Sequence, residues 1–219
     1  MYMKIFGILF LVSLFLVNSM TVSSLARPVS YPGGITGMVM NNGDVNSVHL
    51  HYSPTAQYSV GYKGEYWREG DYMLNAVQVN TLLKRWNKKE SQANLYLKSG
   101  VGAATSFSGP EDGESDPALF TGMAADWENR RFFVSYSNRY TEAGDIDRSF
   151  RQSGRVGVAP YIGEYGDLHT WLMVEVRHSP KAQERVTVRP LVRLFKGVNL
   201  MEAGISNQGD VLFNWVIRY

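Results

Sequence analysis

From Gly33 to the end of the chain, apolar and polar residues alternate in short runs separated by turn residues, and no long run has a helical period. About twelve runs can be marked, near 33–41, 45–53, 58–67, 72–85, 91–104, 117–127, 130–140, 148–161, 168–178, 184–195, 199–206 and 210–219. A period of two puts successive side chains on opposite sides of a strand, so each run reads as a strand with one greasy and one polar face. In 58–66, Tyr58, Val60, Tyr62 and Tyr66 oppose Ser59, Gly61, Lys63 and Glu65. In 130–140, Phe132, Val134, Tyr136 and Tyr140 oppose Arg131, Ser135, Ser137 and Arg139. In 170–177, Leu172, Val174 and Val176 oppose Trp171, Met173, Glu175 and Arg177. The stretch 72–89 loses its alternation near Ala76-Val77 and is read as a bulged strand, with a short helix around Asn80 to Trp86 as the alternative.

The connections make neighbouring strands antiparallel. Asn41-Asn42-Gly43-Asp44 and Asn207-Gln208-Gly209-Asp210 are tight-hairpin signals, and Arg68-Glu69-Gly70-Asp71 is a similar one. Two connections read as long and polar, 105–116 and 141–147, and both fall at the end of the strands opposite the chain termini. That placement fits a barrel with short periplasmic turns and longer outer loops.

The last run is the sharpest. Val211, Phe213, Trp215, Ile217 and Tyr219 share one face, with Asn214 and Arg218 on the other. Here the chain resembles the bacterial outer-membrane β-barrel proteins, whose final strand ends in an aromatic residue after alternating hydrophobics. The resemblance implies recognition by the barrel-assembly machinery through Trp215, Ile217 and Tyr219. The expected fold is therefore all-β, an antiparallel up-and-down transmembrane β-barrel of about twelve strands with lipid outside and polar groups in the lumen. A soluble β-sandwich also alternates, and the two differ in which face meets solvent.

The residues before this region read as a secretory leader. Lys4 is followed by the apolar run Ile5 to Val17 and by the small-x-small sequence Ser24-Leu25-Ala26, so residues 1–26 are expected to be removed before Arg27, leaving 27–219 as one barrel domain. Thirteen Tyr, ten Phe and five Trp fit aromatic girdles at a membrane boundary. Cys is absent, which excludes disulfides, thiolate metal sites and an N-terminal lipid anchor on cysteine. Without Lys4, 21 basic residues stand against 20 acidic ones, a balance that argues against a nucleic-acid partner. No cofactor is expected.

Candidate chemistry lies on the inward face. Lys63, Lys98, Arg131, Arg139, Arg151, Arg155, Arg177, Arg189, Arg193 and Arg218 face Glu65, Asp126, Glu175 and Glu202, an excess of cations. Rings of Arg attract anionic solutes and hold carboxylates with two parallel bonds. The same residues also suit an internal salt-bridge network that fills a narrow barrel. In length and Arg-rich lumen the chain is similar to small monomeric twelve-stranded channels for acidic sugars. Its expected function is thus a channel or binding barrel for a small anionic solute.

Two other readings stand beside that one. In the first hairpin Met38, Met40, His49 and His51 share the inward face, and thioether with imidazole suits Cu(I) or Ag(I); the bland alternative is Met filling gaps and His as a polar lumen residue. That reading gives a non-conducting envelope barrel with a structural or metal-tolerance role. An outer-membrane lipid hydrolase would need a Ser/His pair, for which the chain offers His51-x-Ser53 and His178-Ser179, neither with an obvious orienting residue. Gly100-x-Gly102 and Gly154-x-x-Gly157 lie within strands and read as close-packing positions.

Overall fold

A computed structural model describes residues 29–164, 166–182 and 184–219; the expected leader and its cleavage site lie outside the described residues. Twelve strands follow one another: β1 (Gly34–Asn41), β2 (Val45–Ser53), β3 (Tyr58–Trp67), β4 (Tyr72–Asn87), β5 (Ser91–Ser106), β6 (Ser115–Asn129), β7 (Phe132–Ala143), β8 (Asp147–Val158), β9 (His169–His178), β10 (Val186–Lys196), β11 (Asn199–Ile205) and β12 (Val211–Arg218). Each pairs antiparallel with its sequence neighbours, and β1 closes on β12 through Thr36↔Arg218, Val39↔Trp215 and Asn41↔Phe213. The sheet is a closed barrel, so every strand has two partners and no edge is left to pair with another chain. The sandwich arrangement is excluded.

The outer surface carries the residues that alternation assigned to it. Leu50, Val77, Val101, Leu119, Val156 and Leu172 are each about half exposed. Water-soluble monomers rarely show an apolar patch beyond a few hundred Å², whereas here the apolar surface runs around the whole cylinder. At the end holding the chain termini, Tyr52, Tyr58, Trp86, Trp127, Phe132 and Tyr219 point outward as a girdle. Tyr140, Phe150 and Phe213 form a sparser ring toward the other end. An apolar band between two aromatic belts is the exterior of a barrel solvated by lipid.

Strand β4 shows where hydropathy and geometry part company. Along it Tyr72, Leu74, Ala76, Gln78 and Asn80 are buried while Val77 and Val79 are exposed, so the structural alternation runs straight through Ala76-Val77. The pattern blurs there because inward positions are apolar too. The irregularity comes later: Leu82 pairs with Tyr96 and Lys84 with Leu95, leaving Leu83 as the extra residue of a bulge. The bulge reverses parity. It turns Arg85 inward, where its Nε donates to Asn94 Oδ1 at 2.7 Å, and sends Trp86 outward into the girdle.

Loop lengths depart from expectation. Residues 107–114 do form a long connection, with a 3-10 turn at Gly109–Glu111, at the end opposite the termini. The connection between β7 and β8 is only 144–146, because strand pairing continues from Thr141↔Ser149 to Ala143↔Asp147. The longest connection, 159–168, lies at the terminal end. The sequence runs mark 159–161 and Leu168 as strand and only 162–167 as a connection, whereas the strands stop at Val158 and resume at His169; Tyr161 Oη is tied to the Leu168 carbonyl at 2.5 Å.

Part of the interior is apolar. Val45, Trp67, Tyr72, Leu74, Ala76, Ala104, Ala118, Phe120 and Ala143 pack together inside β2 to β7, toward the end away from the termini. Glycine makes room there: a Cβ at Gly100 would lie 2.2 Å from the Phe120 ring, and one at Gly102 would lie 1.9 Å from the Asn75 carbonyl oxygen. A smaller cluster, Phe133, Ala159, Trp171, Met173 and Leu191, lines the opposite sector.

Candidate functional site

What remains open inside the cylinder is a cavity of about 1720 Å³, reaching from Tyr31, Lys88, Arg130 and Tyr219 at the terminal end to Asn42, Trp67 and Arg177 near the other. Of the cations expected in the lumen, Lys63, Arg139, Arg151, Arg155, Arg177 and Arg193 are in its wall, as are Lys98 and Arg218. Between the mouths these eight cations meet five carboxylates, Glu65, Asp126, Glu128, Glu175 and Glu202.

Two expected positions differ. Arg131 is exposed in the turn between β6 and β7, not in the lumen. Alternation holds only within a strand, and β7 begins at Phe132 because Asn129 Oδ1 accepts both the Arg131 and Phe132 amides at 2.7 and 2.6 Å. The cation that reaches the mouth is its neighbour Arg130, paired with Glu164 at 3.3 Å. Arg189 is inward but has no exposed surface, so it stands behind the cavity wall.

Three buried carboxylates organise the cations. Glu65 accepts from Lys63 at 2.8 Å and from Arg139 at 2.7 Å. Glu175 accepts from Arg155 at 2.5 Å and from Arg189 at 2.8 Å. Glu202 accepts from Arg155 at 3.1 Å, Arg193 at 2.8 Å and Asn214 Nδ2 at 2.7 Å. A carboxylate this deep is tolerable only with charge and hydrogen bonds on its lone pairs, and each of the three has both. Arg139 also stacks on Phe120 at 4.0 Å, Arg151 on Trp67 at 3.8 Å and Arg193 on Phe133 at 4.6 Å.

Several contacts cross the lumen. Arg139 of β7 meets Glu65 of β3, and Tyr72 of β4 donates to Asp147 of β8 at 2.7 Å, each pair four strands apart round the barrel. Arg151 of β8 reaches Trp67 of β3. With the apolar cluster they narrow the outer half of the lumen. The space left there is bordered by Met40, Ser47, Trp67, Arg139, Arg151 and Arg177.

Met38, Met40, His49 and His51 all line the cavity. Register sets Met38 opposite His49, but Met40 opposite Ser47 and His51 opposite Thr36. The two imidazoles meet edge to face with centroids 5.8 Å apart; His49 Nε2 lies 3.1 Å from Ser47 Oγ, and His51 Nδ1 lies 3.4 Å from Asn80 Nδ2. Among the described residues no three His, Cys, Asp or Glu side chains converge as a metal set. For the hydrolase reading, Ser53 Oγ accepts the Ser30 amide at 3.0 Å, and His178 Nδ1 pairs with Gln152 at 3.1 Å. Neither expected Ser/His pair is joined by a hydrogen bond among those of the described residues.

No family model and no curated protein matches the sequence. Solved structures do. The KdgM porin, alone and in complex with disordered oligogalacturonate, superposes with a TM-score of 0.52 at 7% identity, covering 85% of this chain and 98% of that one. LpxR from Salmonella typhimurium superposes with a TM-score of 0.45 at 10% identity, covering 85% of this chain and 99% of that one. At such identities the KdgM likeness speaks for the fold: the chain is a small β-barrel of the outer-membrane type.

Proposed function

We propose that this protein is an outer-membrane channel for small anionic solutes, exported by removal of residues 1–26 and inserted with its chain termini on the periplasmic side. The observation that carries the reading is the charge of the cavity wall, ten Lys and Arg against seven Asp and Glu along one continuous space. Pairing makes the cations rigid and leaves the net field positive. A solute carboxylate entering a water-filled lumen is drawn by that field and finds guanidinium forks already oriented. The similarly folded KdgM is a porin solved in complex with disordered oligogalacturonate, an acidic oligosaccharide, which supports the reading.

Purified, refolded protein in planar bilayers tests the reading. Discrete conductance steps with a reversal potential on the anion side are expected. Correctly folded protein that gives no steps would refute it. A second reading then applies, favoured by the cross-lumen links of Arg139 to Glu65 and Tyr72 to Asp147: a closed envelope barrel whose internal network holds its wall.

A further inference from the structure

The turn between β1 and β2, residues 42–44, leans over the outer end of the lumen. Its acidic side chain, Asp44, binds Arg177 of β9 at 2.5 Å, and the Asn42 carbonyl accepts from Arg189 of β10 at 2.7 Å and from Arg177 at 3.4 Å. These partners lie three to four strands away round the barrel, so the contacts span the mouths of β11 and β12. The tip also packs on the β11–β12 turn, where a Cβ on Gly43 would lie 2.6 Å from Asp210 Cβ. Asn42 and Arg177 both stand in the cavity wall, so the turn borders the outer end of the open space.

Charge pairing makes this contact specific. Of the other arginines in the cavity wall, Arg139, Arg151, Arg155 and Arg193 pair with carboxylates carried on strands, and Arg130 pairs with Glu164 of the 159–168 connection at the terminal mouth. At the outer end Arg177 depends on a turn, since among the described residues Asp44 is its one ion-pair partner. The pair is at the water boundary, with side-chain exposures of 12% and 37%, so another carboxylate can compete for the guanidinium. The turn has a second anchor that does not depend on Arg177: Arg68, from the β3–β4 turn, donates to the Gly43 carbonyl at 2.7 Å and to Asn46 Oδ1 at 2.8 Å. Lifting Asp44 off Arg177 leaves the hairpin held at the rim.

We infer that Asp44 is an internal stand-in for the solute: Arg177, with Arg189 behind it, is a carboxylate-binding site at the outer mouth, masked by the β1–β2 turn until an incoming anion displaces Asp44. The inference rests on the channel reading above and names its regulation.

Asp44→Asn and Asp44→Ser test it in planar bilayers, with the shift in gel mobility on boiling as the check that each variant is folded. Both are expected to raise single-channel conductance about two-fold over the native protein and to move the reversal potential further to the anion side. The exchange Asp44→Arg with Arg177→Asp rebuilds the pair with its signs reversed and is expected to return conductance to the native value. Equal, non-zero, anion-selective conductance in native and Asp44 variants would overturn the latch and leave the channel standing. Conductance that stays raised in the exchange variant would also overturn it, because local charge and not the tether would then be the cause. Folded proteins that all fail to conduct would overturn the channel itself.

Discussion

Replacing Glu202 by Gln deletes one buried negative charge from the lumen while keeping the side-chain shape. In the native barrel Glu202 is 4% exposed and holds Arg155, Arg193 and Asn214 at 2.7–3.1 Å. Arg155 keeps its second carboxylate, Glu175, whereas Arg193 loses its one ion-pair partner among the described residues and retains only the Phe133 ring. Removing one member of a buried ion pair costs about 3–5 kcal/mol. With a urea slope of about 2 kcal/mol per M, the unfolding midpoint falls by about 2 M. Selectivity moves as well. A unit charge about 8 Å from a permeating ion contributes about 0.5 kcal/mol at the permittivity of water, with opposite sign for anion and cation, so the anion-to-cation ratio rises about five-fold at low salt. At 0.15 M, where the Debye length is about 8 Å, the gain shrinks to about two-fold. Reversal potentials in a salt gradient measure both conditions. An unchanged ratio, or a shift toward cations in a variant that still folds, would refute the assignment of Glu202 to the ion pathway.

Three further outcomes are expected. Val174→Arg puts a charge midway along β9 on the outer face, where lipid contact makes it cost about 2–4 kcal/mol in folding into bilayers; an equal folding free energy to native would mean that this face meets water. Gly102→Ala forces a methyl group within 1.9 Å of the Asn75 carbonyl oxygen, so β4 and β5 must separate and stability falls by at least about 1–3 kcal/mol in urea titration. Because His51 is engaged with Asn80 and only Met38 and His49 face each other directly, His49→Ala with His51→Ala is expected to leave Ag(I) affinity by calorimetry unchanged within about three-fold; a larger loss would establish a soft-metal site.

The two-residue rhythm determined the number of strands and the lipid-facing set, because which face a side chain takes is a local property of extended backbone, and the tight-turn signals determined the antiparallel order. The aromatic end of β12 and the inward row of Lys63, Arg139, Arg155, Arg177 and Arg193 were legible for the same reason. Arg131 was misplaced since alternation stops where a strand stops, and the side chain of a turn residue next to the first residue of β7 is not held to that strand's parity. The bulge at Leu83 was foreseen in kind but not in place: Leu74 and Ala76 are apolar on the inward side as well, which hid the true pattern upstream of it. Only closure of the barrel decided the rest. Glu65 and Arg139 are 74 residues apart, and Asp44 and Arg177 are 133 apart. Their meeting depends on the shear and curvature that bring distant strands face to face across a lumen, quantities that no single strand encodes. The same closure turned a row of cations into a set of paired ones, with the pair at the outer mouth made by a turn.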